Sequence, residues 1–190
     1  ICGLSVATRA DCLPPDVLDL LAELNGKTDL TVELGLQTIH EETANRIHRC
    51  HSYAEFLTAY RALTERGIRV CVHLINGLPG ETEDMMLETA SAVGLLRPGG
   101  VKIHLLHILS GTRLAHEWES GTVPMLTREE YIRIVCRQLL RLPPETVVER
   151  LTGDGAKEFL LAPLWSRDKI AVLGGIDRFL AEHNLWQGCL

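Results

Sequence analysis

VCVHLINGLPGET, Val70 to Thr82, reads as a buried strand, a tight glycine turn and the start of a helix. Val70–Ile75 is apolar apart from His73 and too short to be a helix of its own. Pro79 and Gly80 stand where a type II turn takes its second and third residues, because glycine reaches positive φ at little cost. Thr82 then caps a helix whose first turn carries Glu83 and Asp84, where the helix dipole favours acids. In a parallel sheet this junction is the carboxyl end of a strand, the place where α/β folds hold ligands. Two glycines there admit a flat ligand to the backbone. They equally make a turn and nothing more.

Outward from this stretch the same unit repeats. Ile1–Ala7, Leu30–Leu36, Arg69–Ile75, Val101–Ile108 and Thr146–Leu151 read as strands. Helices are expected over Asp16–Leu24, from Ser52 to about Arg66, over Thr82–Leu96 and Thr112–Glu119, and from Thr127 to about Leu142. A last helix, Asp168–His183, is expected to break at Gly174 and Gly175. Ser52 with Glu55 and Thr127 with Glu130 form capping boxes. Strands alternating with helices predict right-handed βαβ crossovers and a parallel sheet, and near-continuously apolar strands predict that both faces are covered. The expected class is α/β, a parallel-sheet partial barrel of about five strands. We expect the partial barrel over residues 1–126, and a last barrel unit with a helical extension over 127–190.

The 190 residues, 46% hydrophobic and 23% charged, are enough for a sizeable core. A net charge of −6 gives no global signal for nucleic acid. No run spans a bilayer and no signal peptide is visible, so no membrane partner is expected. The six cysteines, at 2, 12, 50, 71, 136 and 189, form no C-x-x-C pair. Such scatter suits a reducing cytoplasm and gives no local metal cradle. Because the chain opens on Ile1, inside a stretch that reads as a strand, it is expected to be part of a longer protein.

Chemistry is expected at the carboxyl ends of the strands. Gln37 ends the second strand with an amide that both donates and accepts. Arg46, His48, Arg49 and His51 follow closely and suit a carboxylate or phosphate, or simply a solvated helix end. His104 and His107 lie three apart on a strand, so they point to opposite faces and make a poor chelating pair. His73 shares a face with Ile75. Asp154, between two glycines, is a candidate acid or a turn residue. The sequence lacks G-x-S-x-G, Walker A and H-E-x-x-H motifs.

Taken in order, ELGLQT-IHEETANRIHR, HLINGLPGET and VKIHLLHILSGTRLA resemble the radical SAM enzymes, in particular the YhcC/YtqA-like branch. SVATRADCLPPDVLDLL and LLAPLWS extend that resemblance over nearly the whole chain. It implies S-adenosylmethionine (SAM) bound on a [4Fe–4S] cluster and cleaved reductively to a 5′-deoxyadenosyl radical. Gln37 then matches a glutamine that contacts the ribose or amino acid end of SAM. Arg49 matches the arginine that pairs with its carboxylate. His73 takes the place of a ribose-contacting aspartate or of a motif glycine. Ile75 and Gly77 match the adenine wall, and Leu106 and His107 the other adenine-side contacts. Thr8 and Arg9 match positions that reach SAM or substrate.

The family's C-x-x-x-C-x-x-C triad is absent from this sequence. The resemblance therefore places the cluster ligands upstream of Ile1, in a missing N-terminal part of the same polypeptide, and leaves this chain alone inactive. It further implies an electron donor and, from the branch, an RNA substrate such as the wobble uridine of a tRNA. Two other readings stay open. One is an α/β binding module that lacks a cluster. The other is a barrel hydrolase or lyase that uses His73, His107 and Asp154 as acid and base.

Overall fold

A computed structural model of the protein describes residues 2–153 and 155–190. Its elements follow in the order β1 (Gly3–Arg9), α1 (Pro15–Asn25), β2 (Asp29–Gln37), α2 (Glu41–Arg46), α3 (Tyr53–Glu65), β3 (Arg69–Asn76), α4 (Glu83–Leu96), β4 (Gly100–Leu105), β5 (Ile108–Leu109), α5 (Arg113–Glu119), α6 (Arg128–Leu139), β6 (Val147–Arg150), β7 (Leu160–Ala162) and α7 (Lys169–Glu182). Five strands form one sheet in the order β1-β2-β3-β4-β6. Every pairing within it is parallel, with β3 at its centre. The expected α/β class and strand alternation hold.

One face of the sheet is apolar. Leu30, Val32, Leu34 and Leu36 of β2, Val70 and Val72 of β3, and Val101 and Ile103 of β4 are at most 1% exposed. They pack with helix residues such as Phe56, Leu63, Val93 and Tyr131 in one core. Each such aliphatic side chain contributes about 1.5–3 kcal/mol on burial. A reciprocal amide pair locks the end of β3 to α6: Asn76 Nδ2 donates to Gln138 Oε1, and Gln138 Nε2 to Asn76 Oδ1, both at 2.8 Å.

The opposite face corrects the expectation of strands apolar on both sides. In register with one another it carries Glu33 and Cys71, then Gly35, His73 and Lys102, then Ile75 and His104. These side chains alternate with the buried aliphatics, as the two-residue period of a strand requires.

Two further expectations change. The strand expected over Val101–Ile108 splits. The Leu106 N–H donates to Asn76 O at 2.9 Å, after which the chain leaves the sheet, and β5 pairs antiparallel with β7. The last helix does not break at Gly174 and Gly175: α7 is continuous. A Cβ at Gly175 would lie 2.4 Å from Ile132 Cδ1, so that glycine lets α7 approach α6. Both capping boxes and the Thr82 cap are present. Among the described residues no helix is long and apolar enough to cross a membrane. Ile1 and Asp154 lie outside the described residues.

Candidate active site

The loop after β2 is built around Gln37 and Arg49. Gln37 has φ of 64°, and the β2–β3 register shifts between Gly35 and Gln37. Its amide folds back over Gly35, where a Cβ would lie 2.6 Å from Gln37 Nε2. Glycine at position 35 is therefore what lets the amide turn there. Arg49 is turned inward, its side chain only 2% exposed. Its guanidinium donates to His51 O at 2.8 Å, to Leu36 O at 2.9 Å, and to Thr38 O. Glu41 stands 3.7 Å from it. Burial lowers the Arg49 pKa, with Glu41 and Glu55 opposing. Arg49 thus clamps the loop that carries Gln37, and its buried Nη2 has no hydrogen-bond partner. Arg9, Gln37, His48 and Arg49 line a recess of about 260 Å³ at this end of the sheet.

A second cleft, of about 380 Å³, adjoins it across Ile47 and His48. Its floor is apolar, from Ile47, Ile75, Pro79, Leu106 and Leu114, and its rim carries Arg46, Arg113 and Glu117. The turn between β3 and α4 forms one wall. The Glu81 N–H donates to Leu78 O at 3.1 Å and Gly80 has φ of 88°, as a type II turn requires. The half-buried Glu81 carboxylate accepts from Thr38 Oγ1 at 2.5 Å and ties this turn to the Gln37 loop. Burial raises its pKa against the opposing pull of Thr38.

Deeper on the same face sits a polar cluster. Glu33 accepts from Ser5 Oγ at 2.7 Å, lies 2.5 Å from Lys102 Nζ and 2.9 Å from His73 Nε2. Burial works to raise the Glu33 carboxyl, but Lys102 and Ser5 outweigh it and hold it down at about 2. The His73 and His104 rings are 5.1 Å apart. Burial, then the neighbouring His73, Arg150 and Lys102, push His104 down to about 4. Burial likewise lowers His73 against Glu33. Burial thus favours the neutral form of both imidazoles.

The sequence-predicted residues divide accordingly. Gln37 and Arg49 share the small recess with Arg9, and Ile75 and Leu106 share the apolar cleft. Thr8 is in register with Leu34, on the helix-covered face, whereas Arg9 is in register with Gly35 on the open one. Gly77 turns toward Leu126, whose Cδ1 would be 3.3 Å from a Cβ there. His73 belongs to the deeper cluster. The His107 ring packs against Gly153 and Gly155, 2.9 Å and 3.2 Å from where their Cβ atoms would be. Sequence reasoning gave Pro79 only a turn role and passed over Ile47, Leu114, Arg113 and Glu117. Only the i, i+4 spacing of Arg113 and Glu117 behind the Thr112 cap signalled them.

The described residues do not fit a cluster. Among the described residues no three His, Cys, Asp or Glu side chains are placed to hold a metal ion. Cys2, Cys12 and Cys50 are exposed on separate segments. Burial pushes the Cys71 and Cys136 thiols up to about 12, away from the thiolate a metal requires.

Residues 1–93 match the Radical SAM superfamily and residues 98–182 the Radical_SAM C-terminal domain. YtqA of Bacillus subtilis is 50% identical over 188 residues, which cover 99% of this chain and 58% of that protein. YhcC of Escherichia coli K12 is 38% identical over 186 residues, covering 97% of this chain and 60% of that protein. The chain thus spans about three fifths of the length of these curated relatives. Among solved structures, an Elp3 from Methanocaldococcus infernus superposes with a TM-score of 0.83 at 22% identity, over 98% of this chain and 43% of that one.

Proposed function

The chain belongs to the radical SAM superfamily, and on that premise we propose that it is the SAM-binding, C-terminal part of a cytoplasmic enzyme of the YhcC/YtqA-like branch. In such an enzyme a reduced [4Fe–4S] cluster, held by residues outside this chain, would supply the electron for reductive cleavage of SAM. Its cysteine ligands belong to polypeptide outside this chain, since the cysteines here do not fit that role.

The observation that carries the proposal is the pair of adjoining clefts at the carboxyl ends of β2, β3 and β4. Ile75 and Leu106 offer a flat, dry floor to a purine. The Gln37 amide, swung over Gly35, presents a donor and an acceptor to the polar end of SAM. Arg49 holds the Gln37 loop through three carbonyls, and its Nη2, 3.7 Å from Glu41, has no hydrogen bond and is the donor left for a ligand carboxylate. His73 and His104 line the open face deeper than these groups, where Lys102 pairs with Glu33 and Glu149. An RNA substrate, such as a tRNA wobble uridine, suits the basic rim of the clefts better than it suits the acidic chain as a whole. An electron donor completes the reaction.

Calorimetric titration of the chain with SAM tests this. Saturable binding is expected, and Gln37→Asn, which keeps a residue tolerant of positive φ but shortens the amide, should weaken it by about three- to tenfold, one net hydrogen bond. No saturable heat, or binding that the variant leaves unchanged, contradicts the proposal.

A further inference from the structure

The clefts hold an excess of positive charge that SAM does not explain. Arg9, Arg46, Arg49 and Arg113 line them, and Glu117 is the only acid doing so among the described residues. Yet the chain as a whole carries −6. Two of the four arginines are already engaged: Arg9 forks onto Asp11 at 3.0 and 2.6 Å, and Arg49 holds main-chain carbonyls. The other two converge on one carboxylate. Arg113 Nε reaches Glu117 Oε1 at 2.9 Å, and Arg46 Nη2 stands 3.7 Å from Glu117 Oε2. Arg113 is 82% exposed and Arg46 43% exposed, while Glu117 is 28% exposed. Two guanidiniums on opposite sides of a cleft, from α2 and α5, thus share a single, imperfectly placed counter-ion.

We propose that Arg46 and Arg113 form an oxyanion site at the rim of the apolar cleft, which takes a phosphate group of the substrate in place of Glu117. Guanidinium forks match phosphate oxygens bidentately, and a pair of them outbids a lone carboxylate that reaches one of them at 3.7 Å. This site rests on the reading of the cleft as the place where SAM and substrate meet, and it adds the substrate's charge class to that reading. The phosphate belongs either to a nucleic acid backbone or to a free nucleotide.

Fluorescence anisotropy with a labelled single-stranded RNA, across a salt series, tests the site on the whole chain. The double variant R46Q/R113Q should lose about tenfold in affinity, and the slope of log affinity against log salt should fall by about 1.4, two phosphate contacts on a single strand. E117Q should strengthen binding several-fold, a gain that damage to the fold cannot produce. RNA displaced by equimolar 5′-AMP assigns the phosphate to a free nucleotide, and RNA that resists it assigns the phosphate to a backbone. Affinity and slope unchanged in the double variant, or no gain in E117Q, overturn the proposal. SAM binding is titrated on the same proteins. If SAM fails to bind the unmodified chain while the RNA results hold, the SAM reading falls and the oxyanion site stands.

Discussion

His104 illustrates what a single position on this sheet does. Its neighbours in sequence are buried aliphatics, but its own side chain meets His73, Lys102 and Arg150 on the open face. Its pKa is depressed to about 4 from 6.5. A depressed pKa gives stability that is present above the unfolded value and lost as pH falls toward the folded one. The chain should therefore lose stability between pH 6.5 and 4, on the order of 1 kcal/mol per pH unit for this one group. His104→Asn should flatten that loss in urea denaturation curves recorded across the range, and curves that stay parallel contradict the assignment. Strand parity was the ground for expecting His104 and His107 on opposite faces, but β4 ends at Leu105 and His107 lies beyond it, where parity places nothing. The burial of Arg49 was not legible. Its partners are carbonyls of Leu36, Thr38 and His51, and main-chain positions leave no trace in residue type.

Elements were read best where a side chain closes its own local hydrogen bond. The caps at Ser52, Thr82 and Thr127 lie where Ser or Thr precedes Glu or Asp at short range. They were read least well where glycine serves packing. Gly174 and Gly175 suggest a break, yet α7 carries both without interruption, because Gly175 faces Ile132 of α6 while nothing lies within 4 Å of a Cβ at Gly174. Gly94 passes in sequence for an ordinary helix residue, but a Cβ there would lie 2.2 Å from Arg141 O. Gly94→Ala should cost about 1–3 kcal/mol by forcing α4 from the segment after α6, whereas Gly174→Ala should gain about 0.5–1 kcal/mol. Thermal unfolding of the two variants checks the opposite signs. The short α2 escaped the reading because six residues with five polar side chains show no apolar period.

At the scale of the molecule, the parallel sheet was legible because strands and helices alternate at regular intervals. Its polar face was less so, since His73 alone interrupts the apolar run of β3 and the other members of that layer come from strands distant in sequence. The sheet gathers a Gln37 loop, an apolar cleft and a basic rim at one end, while the described residues offer no cage for iron. The most direct measurement is made on the product of the complete reading frame that contains this chain. It would be purified without oxygen, reconstituted with iron and sulfide, reduced, and assayed for 5′-deoxyadenosine from SAM. Our account predicts a C-x-x-x-C-x-x-C triad upstream of Ile1 and formation of 5′-deoxyadenosine that is abolished when those cysteines are replaced. A reading frame without the triad, or a reconstituted protein that leaves SAM intact, contradicts it.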